Sequence, residues 1–144
     1  MRRLIAIALL FCLVAPARPA SQAVVLVVRA DSAVTQLDSV TVRKLFLGLP
    51  VLVNGSPLHP LRNRSDPRLD ETFLQQIVAM SQSSYDRQML IYVNRQLSLR
   101  PPEFTSETEV EAALSADPNA VGFMWRRDVG HNPRIRVIRV LWSD

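Results

Sequence analysis

Residues 24–29 have the sequence Val-Val-Leu-Val-Val-Arg, a continuous apolar run that is rich in β-branched side chains. A short apolar run without alternating polar residues is typical of a strand that is buried on both faces. The stretch therefore predicts a central strand with parallel neighbours, in a sheet that has helices packed on both sides.

Amphipathic stretches with capping residues follow this strand and predict helices. Apolar residues recur at helical spacing in each stretch, and a Ser or Asp precedes each one, as is typical of a helix N-terminus. The four predicted helices begin at Asp38 or Ser39, at Ser65 or Asp66, at Ser81, and at Ser106.

Further apolar stretches predict strands over residues 58–62, 121–125 and 135–141. Arginines recur along the last of these, which indicates an edge strand protected against aggregation. Strands separated by helices predict an α/β fold, a three-layer single lobe with a mixed sheet flanked by helices. About 120 residues suffice for one such domain.

The N-terminal residues 1–23 have the features of a secretory signal peptide. Two arginines precede an apolar run over residues 4–14, and small residues precede two candidate cleavage points, after Ala17 and after Ala23. We therefore expect export to the periplasm, with residues 24–144 as the mature domain.

Two alternatives to a cleaved signal peptide remain. The apolar run is shorter than the about 20 residues that span a bilayer, which makes a retained anchor the weaker interpretation. Lipid attachment at Cys12 is a second alternative, although Phe11 stands where such sites usually have a small residue.

The composition argues against several classes of function. The chain has 17 basic and 13 acidic residues, and the three arginines of residues 1–23 leave 14 basic residues in the mature part. A net charge of about +1 lacks the strong positive field that nucleic-acid binding needs. The mature part has no cysteine, no histidines at metal-ligand spacing, and no serine in a nucleophile-elbow pattern. We predict no catalytic site, metal, cofactor or nucleic-acid partner.

The segment from Arg62 to Arg68 carries the strongest chemical signal in the sequence. It falls where a predicted strand passes into a helix, and free N–H groups at a helix N-terminus attract anions. Arg64 can bind an oxyanion through bidentate hydrogen bonds, and Arg62 would lie on the same face of the strand as Arg64. Asp66 would cap the helix or hold Arg64 in place. The same residues also fit a solvated charged turn with a helix cap, so both interpretations stay open.

Three segments, in this order, resemble the phosphate-binding proteins of ABC transporters, a family of periplasmic solute-binding proteins. Residues 42–48, Val-Arg-Lys-Leu-Phe-Leu-Gly, look like a helix of that family that ends in Ile-Phe-Leu-Gly. Arg64-Ser65-Asp66 matches the family's Arg-Ser-Asp motif. Residues 117–123, Asp-Pro-Asn-Ala-Val-Gly-Phe, are similar to its Pro-Gly-Ala-Ile-Gly-Tyr strand entry. The resemblance covers most of the mature chain, which has residues for one of the family's two lobes.

The resemblance implies one lobe of a type II periplasmic binding fold that binds a small oxyanion such as phosphate. A membrane transporter or sensor protein would then be its partner. Because ligands of α/β sheets gather at the carboxyl ends of strands, we expect the loop after the first strand to lie beside the Arg64 segment. The expected ligand residues are Arg64, Ser65 and Asp66, with electrostatic support from Arg62 and Arg68 and a weaker contribution from Asp31 and Ser32.

One departure from the family keeps an alternative function open. Where the family continues with Gly-Ser-Gly-Thr, this chain has Pro67-Arg68-Leu69-Asp70, which removes hydroxyl donors and one backbone N–H. A lobe that lacks both the Gly-Ser-Gly-Thr segment and a partner lobe would instead be a periplasmic protein-interaction or sensing partner that binds no solute. If a solute is bound, either the monomer binds it weakly, or a homodimer or a membrane protein supplies the opposing wall.

Overall fold

The computed structural model describes residues 22–144, which form eight strands, five α-helices and one π-helical segment. The π-helical segment Phe73–Val78 directly continues α2. The strands are Ala23–Arg29 (β1), Leu52–Val53 (β2), Ser56–Pro57 (β3), His59–Pro60 (β4), Arg62–Asn63 (β5), Glu103–Phe104 (β6), Ala120–Trp125 (β7) and Ile135–Ser143 (β8). The helices are Ser39–Phe46 (α1), Pro67–Thr72 (α2), Gln82–Asn94 (α3), Glu107–Ala116 (α4) and Arg126–Val129 (α5).

The central sheet is mixed and has the strand order β4-β7-β1-β8. β1 is central, as predicted, but the expectation of parallel neighbours is wrong, because β1 pairs antiparallel with both β7 and β8. In this sheet only β4 and β7 are parallel. A continuous apolar run reports burial on both faces of a strand, and antiparallel strands can be buried in the same way.

Helices cover both faces of the sheet, which confirms the predicted three-layer α/β architecture. On one face, the side chains of α1, the π-helical segment and α3 pack in the larger core, where the rings of Phe73 and Phe123 stack at 3.6 Å. On the other face, Val110 and Leu114 of α4 pack against Val25 and Val27 of β1. Each such buried apolar side chain contributes about 1.5–3 kcal/mol to folding.

The strand predicted over residues 58–62 is divided between two sheets. β4 pairs with β7 in the central sheet, whereas β5 leaves it and pairs in parallel with β6. The backbone N–H of Leu61 still donates to Val121, but the N–H of Arg62 donates to Pro102. The change of partner directs Arg62 and Asn63 away from β4, into the region that precedes α2.

The predicted signal peptide lies outside the described residues except for its last two positions. Gln22 and Ala23 are part of the domain: the N–H of Gln22 donates to the Asp144 carboxylate at 2.6 Å, and Ala23 pairs with Ser143 of β8. These two residues thus contact the end of β8, and the boundary at residue 24 stays a prediction. Within residues 22–144, no helix has the length and apolar character needed to cross a membrane.

Candidate functional site

The turn from Arg64 to Asp66 connects β5 to α2 at the carboxyl end of β7. Asp66 caps α2, as the sequence indicated: its carboxylate accepts from the N–H of Arg68 at 2.9 Å. The same carboxylate accepts from the indole Nε1 of Trp125, the last residue of β7, also at 2.9 Å. The turn is therefore held at the point where β7 ends.

The environment of Asp66 favours its ionised form. The indole N–H of Trp125 lowers the pKa of Asp66 below its ordinary value, partial burial opposes this effect, and the N–H of Arg68 adds to it. A guanidinium nitrogen of Arg127, just after β7, lies 4.0 Å from the carboxylate. Asp66 thus links the helix start, the end of β7 and a half-exposed arginine.

Arg62 is buried in a network of polar side chains, with 1% of its surface exposed. Its guanidinium forms a bidentate pair with Asp70, with both N–O distances at 2.9 Å, and it also donates to Glu103 and to Gln82. It lies over the ring of Tyr85, 4.7 Å from the centroid. Because carboxylates balance its charge and its donors are engaged, Arg62 is placed to stabilise the fold rather than to contact a solute.

Arg64 is more exposed than Arg62 but shares its acidic partners. Arg64 Nη1 donates to Glu103 at 2.9 Å, and its Nε lies 3.3 Å from Asp70. The Glu103 carboxylate raises the pKa of the Arg64 guanidinium above its ordinary value. Common partners confirm that the two arginines share one face. They also show that Glu103 and Asp70 offset part of the positive charge expected at this turn.

Glu103 of β6 is the centre of this network. It accepts hydrogen bonds from Arg62, Arg64 and Arg100 at 2.9–3.1 Å. Partial burial would raise the pKa of Glu103, but the hydrogen bonds from Arg100 and Arg64 outweigh it, and the pKa lies below its ordinary value. The carboxylate is therefore ionised at neutral pH and competes with any solute anion for Arg64.

Ser65 is engaged with Asn63 rather than presented to solvent. Both its hydroxyl and its backbone N–H donate to the Asn63 side-chain oxygen, at 2.6 and 3.0 Å. The Asn63 amide group donates in turn to the carbonyl of Phe123 in β7. The donors of Ser65 would have to leave Asn63 before they could bind an anion.

Arg68 lies exposed in the first turn of α2. Its side chain forms neither a hydrogen bond nor an ion pair with any residue in 22–144. The backbone N–H of Arg68 donates to Asp66 and the Arg127 guanidinium lies 4.0 Å from the same carboxylate, so both residues adjoin the cap.

Asp31 and Ser32 lie at the opposite end of the sheet from Arg64, so the expectation that the two loops lie side by side is wrong. β1 and β7 are antiparallel, which places the carboxyl end of β1 at the amino end of β7. Asp31 there pairs with Arg29, and the buried Ser32 hydroxyl accepts from the N–H of Val34. An open depression of about 510 Å³ adjoins Asp31, well away from the Asp66 cap.

A cavity of about 390 Å³ adjoins Arg64 on the side of the π-helical segment and the start of α3. Its charged lining groups are Arg64, Asp70 and Glu71, so its carboxylates outnumber its guanidinium. Asp70 is already paired with the buried Arg62, so Arg64 and Glu71 are the lining charges outside that pair.

Several residues that shape the site were not predicted from the sequence. Glu103 and Asp70 neutralise the arginines, Asn63 holds Ser65, and Arg127 adjoins the cap. Only Arg127 had a usable signal, because Arg126-Arg127 directly follows the last apolar residue of a predicted strand. The contacts of Glu103 and Asn63 depend on the pairing of β5 with β6, which local patterns do not reveal.

No protein-family model matches the sequence, and no curated protein shows significant similarity to it. Solved structures do match the fold. The matches include an ABC-type phosphate transport receptor from Vibrio cholerae, with 11% identity and a TM-score of 0.61. A protein from Clostridium perfringens, described as a candidate phosphate ABC transporter substrate-binding protein with bound phosphate, has 11% identity and a TM-score of 0.59.

Each match covers 83% of this chain, but only 46% of the Vibrio cholerae structure and 45% of the Clostridium perfringens structure. The chain thus spans less than half the length of the solved structures that it matches. At such low identity the similarity concerns the fold alone. The mixed sheet and its flanking helices therefore form a periplasmic-binding-protein-like fold of the phosphate-binding type.

Proposed function

We propose that the chain is an exported, periplasmic module that binds a small oxyanion of the phosphate class as part of ABC-type uptake. The observation that carries the proposal is that three exposed arginines belong to or adjoin the turn and helix start that Asp66 caps: Arg64, Arg68 and Arg127. Guanidinium groups present paired donors that match the oxygens of phosphate and similar anions. The similarity of the fold to phosphate-binding proteins supports this assignment.

The balance of charge predicts weak binding. Glu103 offsets Arg64, and Arg127 lies within 4.0 Å of both Asp66 and Asp128. Of these three arginines, Arg68 is then the one whose charge is least neutralised by carboxylates. A hydrogen bond to a charged group contributes about 1.5–3 kcal/mol, and water competes for each donor on an open surface. We therefore propose that the module alone binds weakly, and that a membrane transporter or sensor protein covers the site.

The proposed roles follow from these contacts. Arg68 and Arg127 attract and bind the anion, and Arg64 contributes the donors that Glu103 leaves unused. Asp66 positions the cap and Arg127 without contacting the anion, because two negative charges repel. Ser65 contributes only if its hydroxyl leaves Asn63. The module binds without catalysis.

A thermal-shift series with phosphate, sulfate, phosphonates and small carboxylates tests this proposal, with sodium chloride at matched ionic strength as the control. We expect a saturable rise in melting temperature with phosphate or a related oxyanion, and its loss in Arg68→Ala/Arg127→Ala. The matched double variant Arg87→Ala/Arg95→Ala removes two arginines of the α3 region and should retain the response. Indifference to every anion would contradict the proposal and favour the alternative of a protein-interaction or sensing partner.

A further inference from the structure

β8 forms one lateral edge of the central sheet and extends over nine residues, Ile135–Ser143. Its inner side pairs with β1 along the whole length of that strand. Within residues 22–144, no backbone group pairs with its outer side. The β1–β8 pairing has two register irregularities, between Val24 and Val25 and between Leu26 and Val27, so β8 is a bulged edge. Its outer row of unpaired N–H and C=O groups is nevertheless a template for pairing with another chain.

Two arginines of β8 bind the loop that precedes α1. Arg136 donates to the carbonyls of Ala30, Ser32 and Val34 at 2.8–3.1 Å. Arg139 donates to the carbonyl of Leu37. Both guanidiniums are directed towards the loop that covers one face of the sheet, so they hold this loop in place. β8 is an edge strand, as its recurring arginines indicated, and Arg136 and Arg139 in addition bind this loop.

Apolar side chains remain exposed on the opposite face of β8. Val137 and Val140 lie beside Val27 and Val25 of β1, on the face that α4 covers, yet they are 38% and 44% exposed. α4 also contacts β8, whose Ile135 is buried in the same core, but its cover leaves Val137 and Val140 partly exposed. A strand added beside β8 would bury these two valines and extend the apolar surface beneath α4.

We propose that this edge binds a second copy of the chain, with the two β8 strands antiparallel across a two-fold axis. The two sheets then form one continuous sheet of eight strands, and Val137 and Val140 of both copies lie close to the axis. Antiparallel pairing brings Arg134, just before β8, towards Asp144 of the partner subunit, just after its β8. Arg134 has no ion-pair partner within residues 22–144, so the charges at the two ends are complementary.

The pairing is independent of the proposed oxyanion site. The Arg64 turn lies at the end of the sheet where β8 finishes, since Trp142 and Trp125 are in contact there. The two-fold axis places the corresponding turns of the two copies at opposite ends of the joined sheet. The dimer therefore leaves the Arg64 turn of each copy exposed to solvent. It does not supply the opposing wall of the proposed oxyanion site.

Sedimentation equilibrium of the purified chain over a concentration series tests the proposal. We expect a reversible dimer and at least about a tenfold weaker association in Val137→Lys/Val140→Lys, because like charges then face each other near the axis. The control Leu97→Lys/Leu99→Lys places two lysines at exposed positions after α3 and should dimerise like the wild type. A strictly monomeric wild type would overturn the proposal, as would a dimer that both double variants retain equally.

Charge exchange and hydrogen exchange test the same edge without relying on the valine variants. Arg134→Glu and Asp144→Arg should each weaken the dimer, and their combination should restore it. Amides of β8 in the wild type should gain protection from hydrogen exchange as the protein concentration rises. Protection that does not depend on concentration, or that rises in another element, would contradict pairing through β8.

Discussion

Trp125 donates its indole N–H to the Asp66 carboxylate at 2.9 Å, although the two residues are 59 positions apart in the sequence. The bond joins the last residue of β7 to the cap of α2. The same carboxylate lies 4.0 Å from Arg127. Together with the hydrogen bond from Asn63 to the Phe123 carbonyl, the indole hydrogen bond fixes the Arg64 turn to β7.

Replacing Trp125 by Phe tests this relationship. The change removes the donor and leaves an aromatic ring in the core, so we expect a loss of about 1–3 kcal/mol in the free energy of unfolding. The lowered pKa of Asp66 stabilises the fold above the unfolded-state pKa, and this stabilisation disappears as the pH falls through the lower folded-state pKa. Trp125→Phe should therefore flatten the acid limb of stability against pH.

Urea unfolding across this pH range measures the effect, with Trp142→Phe as the matched control. Trp142 packs against Trp125 at 6.4 Å but is not bonded to Asp66. If both variants keep the same dependence of stability on acid pH, the indole hydrogen bond does not contribute to that dependence.

The buried pair of Arg62 and Asp70 should dominate the stability of the turn. Removing one partner of a buried pair leaves an uncompensated charge, so Arg62→Met should cost about 3–5 kcal/mol. The combination Arg62→Met/Asp70→Asn should cost less than the sum of the two single changes, because the charge left behind is removed. Chemical denaturation measures these values, and Arg87→Met on the exposed face of α3 serves as the control. Additive losses would contradict direct coupling.

Glu103→Gln should change stability and anion binding in opposite directions. The substitution weakens three arginine contacts, so the free energy of unfolding should fall by about 1–3 kcal/mol at neutral pH. It also releases the charge of Arg64, and phosphate affinity should rise about fivefold, equivalent to about 1 kcal/mol. Glu71→Gln removes a carboxylate from the neighbouring cavity and controls for the change in net charge. Equal gains in both variants would indicate a nonspecific charge effect.

The sequence predicted the architecture well because apolar periodicity and capping residues act locally. Asp38, Asp66, Ser81 and Ser106 are the caps of α1, α2, α3 and α4, as expected. The direction of strand pairing was mistaken, since the burial of β1 does not depend on it. That error also placed Asp31 and Ser32 beside Arg64, whereas they lie at the other end of the sheet.

The candidate site was only partly predictable for a related reason. The position of Arg64 before a helix is a local feature, and the turn was identified. The neutralisation of Arg64 by Glu103, 39 residues away, depends on the β5–β6 pairing. A two-residue pairing has too few side chains to leave a pattern in the sequence.

The structure sharpens the prediction of signal cleavage. Ala23 pairs with Ser143, and Gln22 exchanges hydrogen bonds with Asp144, so cleavage after Ala23 would remove contacts of the fold. We therefore expect cleavage after Ala17 and a mature chain that begins at Arg18. Mass spectrometry of the periplasmic fraction gives the N-terminus directly. A full-length product retained in the cytoplasm would contradict export.

Isothermal titration calorimetry with phosphate, on the wild type and Arg64→Ala, tests the central claim most directly. We expect weak but saturable binding of phosphate to the wild type. In Arg64→Ala the phosphate affinity should fall about 10- to 100-fold, because a hydrogen bond between charged groups is lost. Arg87→Ala, with the same change in net charge at an exposed position of α3, should bind phosphate like the wild type. Phosphate binding with equal affinity in the wild type and Arg64→Ala would contradict a site at the Arg64–Asp66 turn.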